Sequence, residues 1–267
     1  MINFNSNTNS FSNNFGRRRF IKLHNEGNFY SVTRKRAFVA NVVISEQSFY
    51  KAFDFSFKMS FGQSGAHRDH RSGGTYHRKK GEIFSNAFQG KLAEFATYEY
   101  LKCKGITVDE PDVSVYGLSQ WDTYDLKANN KVINIKSTKY YGNLLLLERA
   151  DWNDEGRYIP DIDRENVIYD FFVLVRIKPD IVKKLKENQL YFSDVCNYEH
   201  LKSLFNYTCF EYNIVGFITI DDLKTIINNN HFIPRGSILN QYTHIDADNY
   251  YIQSDDMSDI EELINLL

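Results

Sequence analysis

The stretch "YDLKANNKVINIKSTK", residues 124–139, constrains this chain more than any other, because its two central asparagines fix a strand register. Asparagine tolerates positive φ, which a two-residue hairpin turn demands. A turn at Asn129 and Asn130 sets Ala128 opposite Lys131, Leu126 opposite Ile133 and Asp125 opposite Asn134. Because side chains alternate across a strand, Asp125, Asn134 and Lys136 are expected on one face and Leu126, Ile133 and Ile135 on the other. Three polar groups thus converge over an apolar underside. A plain amphipathic hairpin with its polar face in solvent gives the same pattern.

A carboxylate, an amide oxygen and a lysine on one face suit metal-assisted phosphodiester hydrolysis. Mg2+ prefers hard oxygen ligands and keeps several waters, so one or two carboxylates and a substrate phosphate hold it. A lysine beside it stabilises charge developing on the phosphate. Asp125 and Lys136 fit these roles.

The flanking segments set the hairpin in an α/β context. "EIFSNAFQGKLAEFATYEYLKCKG" predicts a helix ending at Gly105, with Phe88, Leu92, Phe95, Ala96 and Cys103 on one stripe. Glu94 projects from nearly the opposite side with Tyr98 and Leu101, so the helix is expected to be buried over most of its surface. "DFFVLVRI" is a near-continuous apolar run, as in a central strand covered on both faces. "KPDIVKKLKENQL" reads as a helix after its proline, "YNIVGFITI" as a strand, and "DDLKTIINNN" as a helix capped by Asp221 or Asp222. The ending "SDDMSDIEELINLL" suits a helix docked on the core or on a second subunit.

The order "GKLAEFATYEYLKCKGI", "WDTYDLKANNKVINIKST", "YDFFVLVRI" resembles the PD-(D/E)XK nuclease superfamily, and within it the restriction endonucleases, over roughly residues 82–220. The resemblance implies a restriction-endonuclease-like core, a central mixed β-sheet flanked by helices, and a Mg2+-dependent DNA endonuclease in which Mn2+ substitutes. It implies Glu94 as the helix carboxylate, Asp125 as the central metal ligand, Lys136 as the catalytic lysine and the Ile135 carbonyl as a further ligand. Glu99 rivals Glu94 and Asp122 rivals Asp125, although the turn register puts Asp122 on the opposite face. The departure is Asn134, where the family carries an acid. As a neutral ligand it leaves an active site whose missing charge comes from Glu94; otherwise the chain is a degenerate relative that binds DNA without cutting. A nuclease acting on RNA or branched DNA is a further alternative.

The net charge of −2 conceals an asymmetry. Residues 1–91 hold 15 Lys and Arg against 5 Asp and Glu, and the rest hold 17 against 29. A basic third of this kind is the expected footprint of a nucleic-acid-facing surface, or of a region pairing with the acidic remainder. The glycine-rich loop "GQSGAHRDHRSGGTYHRKKG" offers His67, Arg68, His70, Arg71, Arg78, Lys79 and Lys80 to a phosphate backbone. Arg34, Lys35 and Arg36 form a second basic group, and Lys139 lies just past the hairpin lysine. Double-stranded DNA is the expected partner, and cutting both strands of a symmetric site implies a homodimer.

Residues 1–81 therefore read as a basic arm and recognition segment and 82–267 as the nuclease core with a helical end. The first fifteen or so residues read as a mobile arm, and "FVANVVIS" and "FDFSFKMSF" favour strands or extended structure, with Phe53, Phe55 and Phe57 alternating with polar residues. "LLLLERADWNDEGRYIP" reads as a helix or loop at the cleft edge, with Glu148 a weak substitute ligand. Tyr140 and Tyr141 could stack or contact phosphate, although core packing is the commoner fate of aromatics. The three cysteines form no CxxC pair and are expected to be buried apolar residues. No Walker loop or dinucleotide fingerprint appears, so no nucleotide cofactor is expected. No apolar run is long enough to cross a bilayer and no secretory signal is evident, so a cytoplasmic location is expected.

Overall fold

In the computed structural model, which describes residues 20–62, 78–114, 124–161 and 168–267, strands β1 (His24–Glu26) and β2 (Phe29–Ser31) lead through extended chain to helix α1 (Glu46–Ser60). The sequence predicted strands or extended structure for "FVANVVIS", which is extended, and for "FDFSFKMSF", where α1 is a correction. Phe53, Phe55 and Phe57 do alternate with polar residues, but burial repeats at helical spacing through Phe49, Ala52, Phe53, Ser56 and Ser60. The Ser45 hydroxyl caps the helix, accepting from the Ser48 amide. A buried stripe that only the neighbouring helix completes outweighs the β preference of the aromatics.

Helix α2 (Lys80–Cys103) ends where expected, with Gly105 just beyond it at φ +81°. It is buried on most sides, and Phe84, Phe88, Leu92 and Phe95 pack with Phe49 and Phe53 of α1. Cys103 and Cys209 are exposed and Cys196 is half-buried, correcting the expectation that all three are core residues.

The hairpin forms as its asparagines dictate. Strands β3 (Leu126–Ala128) and β4 (Lys131–Lys139) pair Ala128 with Lys131 and Leu126 with Ile133, and Asn129 and Asn130 sit at φ 45° and 65°. Beyond it come β5 (Leu144–Glu148), β6 (Phe171–Lys178), α3 (Ile181–Glu187), α4 (Tyr198–Ser203), β7 (Glu211–Thr219) and α5 (Ile220–Asn228). Four short strands and a helix close the chain: β8 (Phe232–Ile233), β9 (Ile238–Leu239), β10 (Thr243–His244), β11 (Asn249–Gln253) and α6 (Ile260–Ile264).

The central sheet runs β3-β4-β6-β7, with β4 and β6 parallel and the outer pairs antiparallel. It is an α/β arrangement. Strand β6 lies between two neighbours, and Phe171 to Ile177 are all buried, as the apolar run predicted. Ile133, Ile135, Val173, Val175 and Ile177 face α1, α2 and α6. Phe172 and Leu174 face the opposite layer, made by α5 and a second sheet of order β5-β11-β8 through Leu145, Leu147, Ile252 and Leu223.

That second sheet corrects the reading of "LLLLE", which is a strand and not a helix or loop. Alternate leucines serve two clusters, Leu145 and Leu147 against the central sheet and Leu144 and Leu146 against β1–β2 and β9. Thr219, rather than Asp221 or Asp222, caps α5, and the Asp222 carboxylate returns a bond from the Thr219 amide as a capping box.

The extended chain before α1 is held against the central sheet by two arginines. The guanidinium of Arg176, 1% exposed, donates to the carbonyls of Arg36 and Ala37 and to Asn213 Oδ1. Arg36 donates to Val215 O at 2.7 Å and Met257 O at 2.6 Å. A Cβ at Gly216 would stand 2.2 Å from Ser258 O, so this packing needs glycine there.

Candidate active site

Alternation along β4 sends Ile133 and Ile135 to the helical layer and leaves Asn134 and Lys136 on the face toward Phe172 and Leu174. Gln89 Nε2 donates to Ser137 Oγ at 3.3 Å, which confirms that α2 covers the odd-numbered face. The predicted separation of polar and apolar faces therefore holds. The polar face is not open to solvent along its length, however: Asn134 is only 4% exposed, because this side carries the second apolar layer.

Asp125 directly precedes β3, and its Oδ2 accepts from the Ile135 amide at 2.7 Å. The carboxylate thus continues the ladder where the β3 backbone stops. A strand residue sends its N–H and C=O to the same side, so the Ile135 carbonyl points to that same edge. The register makes Asp125 and Asn134 a non-hydrogen-bonded pair, in which opposed side chains lie closest.

Asn134 Oδ1 is buried with no hydrogen-bond partner among the described residues. Such an atom costs about 1–3 kcal/mol unless something else satisfies it. Lys136, two residues on along the same face, is half-buried, and its side chain makes no hydrogen bond or ion pair among the described residues. Two residues on one strand face thus each have a side-chain polar group without a partner among the described residues.

Glu94 is ion-paired within its own helix. Its Oε2 accepts from Lys91 Nζ at 2.6 Å, and Lys91 Nζ also donates to Asp112 O at 2.8 Å and lies 4.7 Å from the Phe55 ring centre. The segment carrying Asp112 runs antiparallel to β3 through the Val108–Ala128 bridge. The rival of Glu94, Glu99, serves α1: Oε1 accepts from Ser45 Oγ and Ser48 Oγ, each at 2.7 Å. Burial pushes the Glu99 pKa up, but the Ser48 and Ser45 bonds and nearby Lys102 outweigh it and hold the carboxyl below its usual value.

The predicted DNA-contacting residues fall into four groups. His67, Arg68, His70 and Arg71 lie outside the described residues, as does Asp122. Arg34 pairs with Asp255 and Asp256, Lys79 with Asp194, and Lys139 with Asp180 at 3.0 Å, while Arg36 is bound to backbone carbonyls. Arg78 is half-buried. Lys35 and Lys80 make no side-chain hydrogen bond or ion pair among the described residues. Tyr140 and Tyr141 are 38% and 56% exposed and not core residues, a feature the sequence left to the bland expectation. Glu148, at the end of β5, lines a surface pocket with Arg149, Arg235, Asp246 and Asp248.

Among the described residues no group of three or more His, Cys, Asp or Glu is arranged to hold a metal ion. The oxygens that the hairpin offers are instead one carboxylate, one amide and one carbonyl, hard donors of the type Mg2+ prefers. No helix among the described residues is long and apolar enough to cross a membrane. No known protein family, curated protein or solved structure matches the chain.

Proposed function

We propose that the chain is a Mg2+-dependent DNA endonuclease whose centre is the hairpin edge formed by Asp125, Asn134, Ile135 and Lys136. The observation that carries this reading is the buried, unpartnered Asn134 Oδ1 beside a lysine with no partner among the described residues. Buried polar atoms are nearly always satisfied, and an orphan at a site invites a ligand. The order of a long helix, an antiparallel hairpin and a parallel third strand adds support.

Asp125, Asn134 Oδ1 and the Ile135 carbonyl would hold the ion, which when bound polarises a phosphoryl oxygen and lowers the pKa of its water. The Ile135 amide fixes the rotamer of Asp125, so its second oxygen is presented without a search. The Lys136 ammonium, unpaired among the described residues, is available to a phosphate oxygen and stabilises negative charge there.

A second reading, a DNA-binding protein that does not cut, is favoured by one observation: the Glu94 carboxylate is already ion-paired with Lys91. A plasmid digest with and without Mg2+, run beside the Lys136→Met variant, separates the two. Mg2+-dependent cutting lost in the variant is the expected result. DNA bound by both proteins and cut by neither would overturn the nuclease reading.

A further inference from the structure

Strand β4 ends in a turn that presents aromatic rings to solvent. The Tyr140 and Tyr141 ring centres lie 5.0 Å apart at 82°, and Phe38 meets Tyr140 edge-on at 6.2 Å. The rings are held firmly. The Gly142 amide closes the turn on Lys139 O at 2.7 Å, and a Cβ at Gly142 would collide with the Thr138 side chain. Tyr141 OH donates to Asp180 Oδ2, which also accepts from Lys139 Nζ, and that ammonium lies 5.8 Å from the Tyr141 ring centre. Arg176 backs Phe38 at 5.7 Å.

These aromatic residues stand outside the core, Tyr140 38% and Tyr141 56% exposed. What they offer is flat π-surface beside cations: Lys139 at the rings, and Lys35, unpaired among the described residues, three positions before Phe38. Alternation places Lys136 and Thr138 on the face that also carries Arg176, the residue paired with Thr138. From Lys136 to Tyr140 the strand rises about 13 Å, a span of about four stacked nucleotides.

We propose that the Tyr140–Tyr141 turn is a stacking platform for an unpaired base, so that the favoured substrate carries a single-stranded segment next to the bond presented to Lys136. This rests on the nucleic-acid reading of the hairpin edge. Bases stack on aromatic rings whatever their identity, because each has a π-face, while duplex DNA offers its stacked bases no such contact. The platform selects for an unpaired strand and not for a sequence.

Binding of the full chain to a fluorescently labelled single-stranded oligonucleotide, to a duplex with a single-stranded tail and to a blunt duplex, all with EDTA, tests the platform apart from cleavage. Tighter binding to the first two is expected. Tyr140→Ala/Tyr141→Ala should weaken that binding about tenfold or more, while Tyr140→Phe/Tyr141→Phe retains it. A 2-aminopurine base in the tail should be quenched by the native protein and the Phe variant but not by the Ala variant. Equal affinity for all three DNAs, or an Ala variant that binds and quenches as the native chain does, would overturn the platform. Absence of cutting with this binding intact would count against the nuclease reading alone.

Discussion

The Asp125 carboxylate accepts the Ile135 amide across the open end of the hairpin at 2.7 Å, so one residue both finishes a β-ladder and faces the proposed phosphate site. The two roles separate by substitution. Asp125→Asn keeps an oxygen for the amide and removes the charge. It should abolish metal-dependent cutting with little change in the urea midpoint, whereas Asp125→Ala should also cost about 1.5–3 kcal/mol. Equal stability losses in both variants would mean that the charge, and not the bond, holds the strand end.

Asn134→Asp places a second carboxylate at a buried position opposite Asp125. Without metal the two charges repel in a poorly solvated site, and the variant should be less stable than the native chain. With Mg2+ it should regain that stability, and calorimetry should show tighter Mg2+ binding. Identical Mg2+ affinity in the two proteins would place Asn134 outside the metal shell.

The two glutamates of α2 differ in what they support. Glu99→Gln should loosen α1 by about 1–2 kcal/mol and leave Mg2+ binding unaltered, because its carboxylate serves the Ser45 and Ser48 hydroxyls. Its folded pKa lies below the unfolded value, so its contribution is present above about pH 4.5 and is lost as pH falls through the lower value. Glu94→Gln should cost more, about 3 kcal/mol, by removing the carboxylate that the buried Lys91 ammonium contacts at 2.6 Å. Much of that loss should return in a Glu94→Gln/Lys91→Met double variant. Chemical denaturation of the three variants decides the point.

His231 is buried edge-on to Tyr251 at 4.2 Å, and its Nε2 has no partner among the described residues. Burial, with Lys22 adding repulsion, pushes its pKa down to about 4 from 6.5. The unfolded chain therefore takes up a proton near pH 6.5 that the folded chain refuses until about pH 4. Stability should fall across that window by up to about 3 kcal/mol and level off below it. Urea melts from pH 4 to 8 should show a shallower slope for His231→Leu than for the native chain; parallel slopes would mean that other groups carry the dependence.

Local chemistry by itself determined the hairpin. Two asparagines at positive φ and a two-residue side-chain alternation require nothing distant, so register, face assignment and the position of Asn134 opposite Asp125 were all legible. The end of α2 at Gly105 and the burial of β6 followed from equally local signals. Tertiary structure alone decided what the polar face meets. Strand β5 pairs with β11 a hundred residues later, and the layer they build buries Asn134, which no spacing in "LLLLE" announced. It likewise decided that 46–60 is a helix, because the phenylalanines of α1 find their partners on α2. Glu94 shows the division most clearly. Its place on the helix was readable from the sequence, but its pairing with a lysine one turn back was set by packing, which buries both and favours pairing of the two charges.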